Sequence, residues 1–251
     1  KGNDDSFHSC SHGAGRTHNR TAAKEEFSDK EMIEDLNNKD IAFGKKDYAI
    51  LLDCHSNTHK YVPFKIDNYK IMIINTNKER KLADSKYNKR RKECKKGLDI
   101  LLDNSQKENF KDLTLFDYND HKDKIVDIET RIRAYHYISE NKRTMDAYRD
   151  LIDKNIKSFG KNIFDSHKSL RDNYEVSCEE LDFLVDFVKN KESVLGARMT
   201  GAGFGGCTVN IVKEDKINEI EREISKKYYE RFGKKPSIYI ADVGDGCKEI
   251  I

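Results

Sequence analysis

The sequence predicts an α+β fold, in which an antiparallel sheet carries helices on one face. Short apolar runs of strand length stand at 48–53 and 69–75, and the last third alternates strand, glycine-rich turn, strand, helix and strand. The stretches between them place apolar residues at helical spacing. Aromatic residues make up 10% of the 251 residues, which argues against disorder although 37% of the chain is charged.

The first strands are YAILLD and YKIMIIN, with a further strand predicted over 61–66, where Pro63 favours a sheet edge. A helix is predicted from about Asp84, since apolar side chains recur on one face while lysine and arginine occupy the other. Apolar residues from Ile128 to Tyr148 predict a long helix. Ser177 with Glu180 forms a capping-box pattern and predicts the start of another.

The last third closes the sheet. Strands are predicted over 194–199 and 204–212, a helix over 217–228 and a final strand over 237–241. In the second of these strands apolar residues alternate with Thr208 and Asn210, the pattern of a half-buried antiparallel strand. We therefore expect the apolar side chains to face the core.

The segment at 196–207, GARMTGAGFGGC, carries the densest chemical signal. Its glycines at 201, 203, 205 and 206 exceed what an ordinary hairpin requires. Missing Cβ atoms let other groups approach the backbone, and exposed N–H groups can face phosphate oxygens. The pattern is neither a Walker loop nor a dinucleotide-binding fingerprint. On the pattern alone, a turn needed only for tight packing is equally open.

Composition excludes several classes of partner. The net charge of +2 gives no reason to expect nucleic acid or an anionic membrane surface as the main partner. The six cysteines and eight histidines show no spacing of a closed metal site, so no metal ligand is predicted. No apolar run reaches the length of a membrane span, and no signal peptide opens the chain. We expect a soluble cytoplasmic protein in which the thiols are reduced.

From about Ile41 to the end, the chain resembles the galactokinases of the GHMP kinase family. The glycine-rich segment, continued as GARMTGAGFGGCTV, is similar to the third signature motif of that family. Four other stretches resemble galactokinase motifs in the same order: AFGKKDYAILLDC (42–54), NTNKERKLADSKYNKRRKEC (75–94), SHKSLRDNYEVSCEELD (166–182) and DGCKEI (245–250). Within the stretch at 166–182, the one departure from the family pattern is Glu179, where the family usually has proline.

The resemblance implies roles for particular residues. Tyr87 matches the tyrosine that contacts the sugar, and a phenol can stack on a sugar face and donate a hydrogen bond. Because Tyr87 also begins the apolar face of its helix, core packing remains a compatible role. The third motif packs beside the ATP phosphates, which implies the following wall of the nucleotide site: Thr200, Gly201, Ala202, Gly203 and Gly205. Arg198 is expected to be a structural ion-pair partner rather than a phosphate ligand.

The resemblance implies the reaction of ATP with galactose, giving galactose 1-phosphate and ADP with Mg²⁺. It assigns the general base and the phosphate-binding loop to a first half that these residues do not match, so no catalytic residue is assigned here. We expect the chain alone to be inactive and a complementing amino-terminal half to be its partner. A non-catalytic sugar- or partner-binding module derived from a galactokinase is the alternative, and sugar choice and oligomeric state stay open.

Residues 1–38, which read SCSHGAGR at 9–16 and TAAKEEFS at 21–28, resemble a different family, the RNA-splicing ligases of RtcB type, whose pattern here is GxSHGAGR. His12 matches the histidine that carries GMP there, but without metal ligands we expect it to be inert, which makes an RNA ligase fragment the third hypothesis. We predict an unrelated segment at 1–40, remnant strands of a GHMP amino-terminal domain at 41–80 and the GHMP carboxy-terminal domain at 81–251. Such a truncated chimera would leave the strands at 48–53 and 69–75 short of neighbours.

Overall fold

A computed structural model of the chain describes residues 46–56, 58–79 and 83–244, with the backbone alone at 83–85. The interpretations of residues 1–45 and of 245–250 lie outside the described residues. The four-stranded sheet and the helices belong to one compact unit, Ile66–Asp242, and a β-hairpin belongs to another.

The hairpin pairs β1 (Tyr48–Asp53) with β2 (Thr58–Pro63) in antiparallel register, from Tyr48 opposite Pro63 to Asp53 opposite Thr58. The predicted strand over 61–66 is therefore wrong in its bounds. Six residues of β1 pair with six of β2, which places the start of β2 directly after the connecting turn. Pro63 has no N–H to donate, and the strand ends there.

The main sheet has four antiparallel strands in the order β4-β5-β3-β6. They are β3 (Tyr69–Asn75), β4 (Val194–Thr200), β5 (Cys207–Lys213) and β6 (Ser237–Ala241). Strand β3 pairs with β5 on one side and with β6 on the other. The expectation that β3 lacks neighbours is therefore wrong, and β3 belongs to the compact unit Ile66–Asp242.

Six α-helices lie in the described part of the chain. They are α1 (Ala83–Asp103), α2 (Leu115–His121), α3 (Ile128–Ile152), α4 (Ile156–Asp172), α5 (Glu179–Lys189) and α6 (Ile217–Phe232). The predicted long helix and the helix from about Asp84 are both found. Helix α2 begins with a capping box between Thr114 and Asp117. Helix α3 is capped by the preceding residue, Asp127, whose carboxylate accepts from the Thr130 N–H.

The capping box predicted for Ser177 and Glu180 is wrong. The residue before α5 is Cys178, and no side chain caps that helix end. The Ser177 hydroxyl instead donates to Asp182 Oδ1 at 2.5 Å. A hydrogen bond to a side chain elsewhere on the helix thus replaces the local one that the pattern predicted.

The main core lies between the sheet and helices α5 and α6. Met72 and Ile74 of β3 pack there with residues such as Leu184, Ile220 and Tyr228, all at most 1% exposed. A second core joins α1, α2 and α3, and a third, smaller one lies beside the glycine-rich segment. Helices on one face of an antiparallel sheet give the α+β architecture that the sequence predicts.

Strand β5 departs from the expected alternation. Thr208 and Asn210 are fully buried, whereas Cys207 and Val209 are only half-buried. The Asn210 amide donates to the Met72 carbonyl and to the Thr208 hydroxyl, both at 3.0 Å. Polar side chains that find such partners can be buried at little cost. The alternation thus predicts the strand but not which face is more deeply buried.

Candidate functional site

The glycine-rich segment forms an irregular turn between β4 and β5. Gly201, Gly203, Gly205 and Gly206 have φ values of 80°, 85°, 137° and 89°, and Phe204 joins them at 57°. A strand needs negative φ, which is why β5 begins at Cys207 and not at the predicted residue 204. When neighbouring residues alternate between right-handed and left-handed backbone conformations, their successive N–H groups point to the same side, a geometry that binds anions.

Two neighbouring segments hold this turn by hydrogen bonds. The Phe204 N–H donates to the Val176 carbonyl at 2.7 Å. Thr76 donates twice to the Gly206 carbonyl, from its N–H at 2.8 Å and from its hydroxyl at 2.9 Å. The Thr76 carbonyl in turn accepts from the Tyr228 hydroxyl at 2.8 Å. The turn is therefore fixed by the core before any ligand arrives, which lowers the cost of ordering it on binding.

Accessibility divides the predicted nucleotide wall into two groups. Thr200 and Gly201 are exposed and Ala202 is half-buried, and a Cβ placed on Gly201 would meet nothing within 4 Å. Gly203 and Gly205 are buried. A Cβ on Gly203 would lie 1.9 Å from the Val176 carbonyl oxygen. Residues 200–202 are thus available to a ligand, whereas Gly203 is required for packing.

Tyr87 lies near the same turn. It is half-buried and packs against the small core of Leu170, Val176, Leu181 and Met199, as do Tyr174, Cys178 and Phe204. The structure therefore brings Tyr87 and the turn to one hydrophobic cluster, and packing is the role of Tyr87 that the contacts show. The Lys86 ammonium lies 5.7 Å from the centre of the Phe204 ring, which adds a positive charge beside the turn.

Arg198, in the strand that leads into the turn, is an ion-pair partner, as the sequence predicts. Its Nη1 lies 3.9 Å from Glu140 Oε2, and its Nε donates to the Met199 carbonyl at 3.1 Å. Burial lowers the pKa of Arg198, and the neighbouring Glu140 opposes that effect. Although burial works against it, the Ser166 hydroxyl, which donates at 2.7 Å, and the nearby Arg143 keep the Glu140 pKa below its usual value.

The segment at 166–182 holds the turn in place, a role that sequence reasoning did not assign. Ser166 contacts Glu140, His167 contacts the backbone of Met199, and Val176 contacts Phe204. Glu175, at a φ of 52°, pairs with Arg133 at 2.6 Å. The signal in the sequence was the resemblance of this stretch to a galactokinase motif, which marked the segment without indicating what it contacts. Its role depends on partners far away along the chain, which a local pattern does not reveal.

Arg133 anchors this scaffold from α3. It is 1% exposed, and its guanidinium donates to the Asn173 carbonyl and to Glu175. Glu93 Oε2 lies 3.6 Å from its Nε, and Arg90 pairs with the same two glutamates. A buried arginine with these partners fixes the chain between α4 and α5 relative to α1 and α3.

The donor set does not favour a metal held by the described residues. Within the parts of the chain that the structure describes, no group of three or more His, Cys, Asp or Glu side chains is placed to hold an ion. The Mg²⁺ that the resemblance implies therefore finds no ligand cluster among them. Likewise, no helix in the described ranges has both the length and the apolar character needed to cross a membrane.

In sequence and fold the chain is similar to the GHMP kinases. Residues 147–230 match the family model described as GHMP kinases C terminal. Over 210 residues the chain is 48% identical to the galactokinase of Clostridium acetobutylicum and 45% identical to that of Clostridium perfringens strain SM101. Both alignments cover 84% of this chain and 54% of the relative. Residues 147–230 are therefore similar to the carboxy-terminal domain of the GHMP kinases, and the chain spans about half the length of the curated galactokinases that it matches.

Two solved structures share the fold of this chain. The galactokinase of Lactococcus lactis, solved in complex with galactose, superposes with a TM-score of 0.78 at 32% identity, covering 90% of this chain and 62% of that one. Mevalonate kinase of L. major, solved with R-mevalonate, reaches a TM-score of 0.50 at 14% identity and shares the fold alone.

The beginning of the chain matches a second family. Residues 1–76 match the model of the tRNA-splicing ligase RtcB, a longer span than the 1–38 expected from the sequence.

Proposed function

We propose that this chain supplies the carboxy-terminal part of a galactokinase-type sugar kinase acting in the cytoplasm. The reaction is transfer of the γ-phosphoryl group of ATP to galactose, giving galactose 1-phosphate and ADP. The observation that carries the proposal is the anchored turn, whose residues 200–202 are open to a ligand while the rest is fixed by the core. The 45–48% identity to galactokinases supports the choice of substrate class.

In this proposal the chain contributes positioning and electrostatics. The backbone N–H groups of Gly201 and Ala202 face phosphate oxygens, and the nearby Lys86 raises the local positive potential. Tyr87 contacts the sugar through its phenol while its ring packs below the turn. Phosphoryl transfer depends almost wholly on such placement of charge and of reacting groups. Mg²⁺ bound together with ATP would neutralise phosphate charge beside this turn.

We further propose that these 251 residues do not turn over by themselves, because the resemblance assigns the general base and the phosphate loop to sequence that they do not match. The test is a kinase assay of the purified chain, alone and mixed with the amino-terminal half of the Clostridium acetobutylicum galactokinase. Galactose 1-phosphate formed only in the mixture supports both parts of the proposal. Turnover by the chain alone contradicts the second part, and no turnover in a folded mixture contradicts the first.

The alternative is a sugar- or partner-binding module that is derived from a galactokinase and has no turnover. Isothermal calorimetry of the chain with galactose, and with galactose plus MgATP, separates the two. Galactose binding by the chain without turnover in the mixture supports the module. Binding accompanied by turnover in the mixture supports the kinase.

A further inference from the structure

Strand β4 is at one end of the four-stranded sheet, so the backbone groups on its outer edge have no strand partner in that sheet. Met199, which lies opposite Thr208 of β5, directs its N–H outward and away from β5. Buried backbone N–H groups require an acceptor. Here the acceptor is a side chain: the Met199 N–H donates to Nδ1 of His167 at 3.2 Å.

His167 reaches this edge because helix α4 lies directly against β4. A Cβ on Gly160 would lie 2.0 Å from the Leu195 carbonyl oxygen, and one on Gly196 would lie 2.7 Å from the Gly160 carbonyl oxygen. Because neither glycine has a side chain, the backbone of α4 at Gly160 lies in direct contact with the backbone of β4 at Leu195 and Gly196. From Gly160 to His167 the helix rises about 10 Å, and from Gly196 to Met199 the strand rises about 10 Å. The second contact thus lies two helical turns beyond the first.

The hydrogen bond determines which nitrogen of His167 carries the proton. An acceptor nitrogen has no hydrogen, so the proton of the neutral ring is on Nε2. Nε2 lies 3.2 Å from Asp182 Oδ1, close but not aligned as a hydrogen bond. The same oxygen accepts from the Ser177 hydroxyl at 2.5 Å, which holds the carboxylate in place. The ring is 2% exposed, so water does not compete for either nitrogen.

We propose that His167 is a positioning residue for the nucleotide wall, acting through the Met199 backbone in the tautomer that the Met199 N–H and the nearby Asp182 carboxylate both favour. Met199 directly precedes Thr200, and its carbonyl is held by Arg198, so both polar groups of its backbone are fixed by side chains. These two hydrogen bonds fix the direction in which the chain continues from the end of β4 through residues 200–202. The role in nucleotide binding rests on the proposed function, whereas the tautomer and the ordering of the turn do not.

A matched pair of variants of the full chain isolates the contact. Asparagine places a polar atom where Nδ1 is, so His167→Asn retains an acceptor for Met199. Glutamine places its amide near Nε2 instead, so His167→Gln loses the acceptor. Asp182→Asn leaves His167 in place but lets the ring take the other tautomer, as replacing a buried aspartate beside a histidine does in serine proteases.

Three measurements are made on each protein: ¹⁵N chemical shifts of the labelled histidine rings, hydrogen exchange of segment 199–206, and binding of MgATP. We expect a neutral His167 with its proton on Nε2. Exchange in 199–206 should rise about tenfold in His167→Gln, the effect of losing one buried hydrogen bond, while β3 is unchanged and His167→Asn stays near wild type. Asp182→Asn should show a mixture of tautomers and an intermediate exchange rate.

A proton on Nδ1 in the wild-type chain, or equal exchange in the asparagine and glutamine variants, overturns the positioning role. If the wild type binds MgATP, affinity should fall about tenfold in His167→Gln and recover in His167→Asn, and equal affinities would overturn the link to the nucleotide wall. If the wild type binds no MgATP, that link fails together with the proposed function. The tautomer and exchange results then still decide whether His167 orders the turn.

Discussion

Val176 and Gly203 are in backbone contact: a Cβ on Gly203 would lie 1.9 Å from the Val176 carbonyl oxygen, which accepts the Phe204 N–H at 2.7 Å. The segment between α4 and α5 therefore fits against the glycine-rich turn only because position 203 has no side chain. Gly201, in the same turn and with nearly the same φ, faces open space. Glycine at 203 is thus required both for the positive φ and for the lack of space beside the backbone, whereas glycine at 201 is required for the positive φ alone.

We predict that Gly203→Ala lowers the free energy of unfolding by at least about 3 kcal/mol, since the new methyl group forces two backbone segments apart in addition to the strain of a positive φ. Gly201→Ala adds the strain alone and should cost about 1 kcal/mol. Urea unfolding of both variants measures the difference. Equal losses would mean that the contact with Val176 yields at little cost.

Thr76 provides the second anchor of the turn. It is fully buried, and its hydroxyl donates to the Gly206 carbonyl and lies 3.3 Å from the Lys78 N–H. Thr76→Val keeps the shape and removes both contacts, so we expect a loss of about 1 kcal/mol in unfolding free energy and faster hydrogen exchange at 204–207. Thr76→Ser, which retains the hydroxyl, is the control for local exchange. Unchanged exchange in the valine variant would show that the Thr76 N–H holds Gly206 unaided.

Tyr87 has two separable roles. Tyr87→Phe keeps the ring in the cluster with Met199 and Phe204, so stability should be unchanged. If the hydroxyl contacts the sugar, galactose binding in calorimetry should weaken about tenfold, the value of one hydrogen bond. Tyr87→Ala should in addition destabilise the chain by about 2 kcal/mol through lost packing. Galactose affinity equal to wild type in Tyr87→Phe would leave packing as the function of this residue.

His136 should make the chain sensitive to acid. Burial lowers its pKa to about 4, with Glu140 acting in the opposite direction and Arg143, Arg198 and Arg133 adding to the decrease. In the unfolded chain the pKa of His136 is near 6.5, so between about pH 6.5 and 4 the unfolded chain binds a proton at this residue and the folded chain does not. Stability should therefore fall as the pH drops from about 6.5 to 4, by about 3 kcal/mol in total.

The measurement is urea unfolding at pH steps between 7 and 4. His136→Asn keeps a polar atom near Ser169, whose hydroxyl lies 2.9 Å from Nδ1, and removes the titrating ring. Its unfolding free energy should decrease less over this pH range than that of the wild type, even if it is lower at pH 7. Parallel curves would assign the acid sensitivity to other groups.

Local sequence patterns located most of the elements. The apolar runs at 48–53 and 69–75 and the final strand at 237–241 have the predicted bounds, because strand length and apolar content are local properties. The same patterns placed the glycine-rich segment between two strands. They did not distinguish Gly201, which is open to solvent, from Gly203, which touches Val176.

By itself, then, the sequence determined the α+β class, the succession of strands and helices, the glycine-rich turn and the likeness to galactokinases. The tertiary structure alone decided that β3 is a central strand, that Thr208 and Asn210 are buried, and that Ser177 turns to Asp182. It also decided that His167 supplies the acceptor for Met199. Each of these features depends on a partner that is distant in sequence. Contacts between such partners are determined by how the elements pack, and the local spacing of apolar residues does not contain that information.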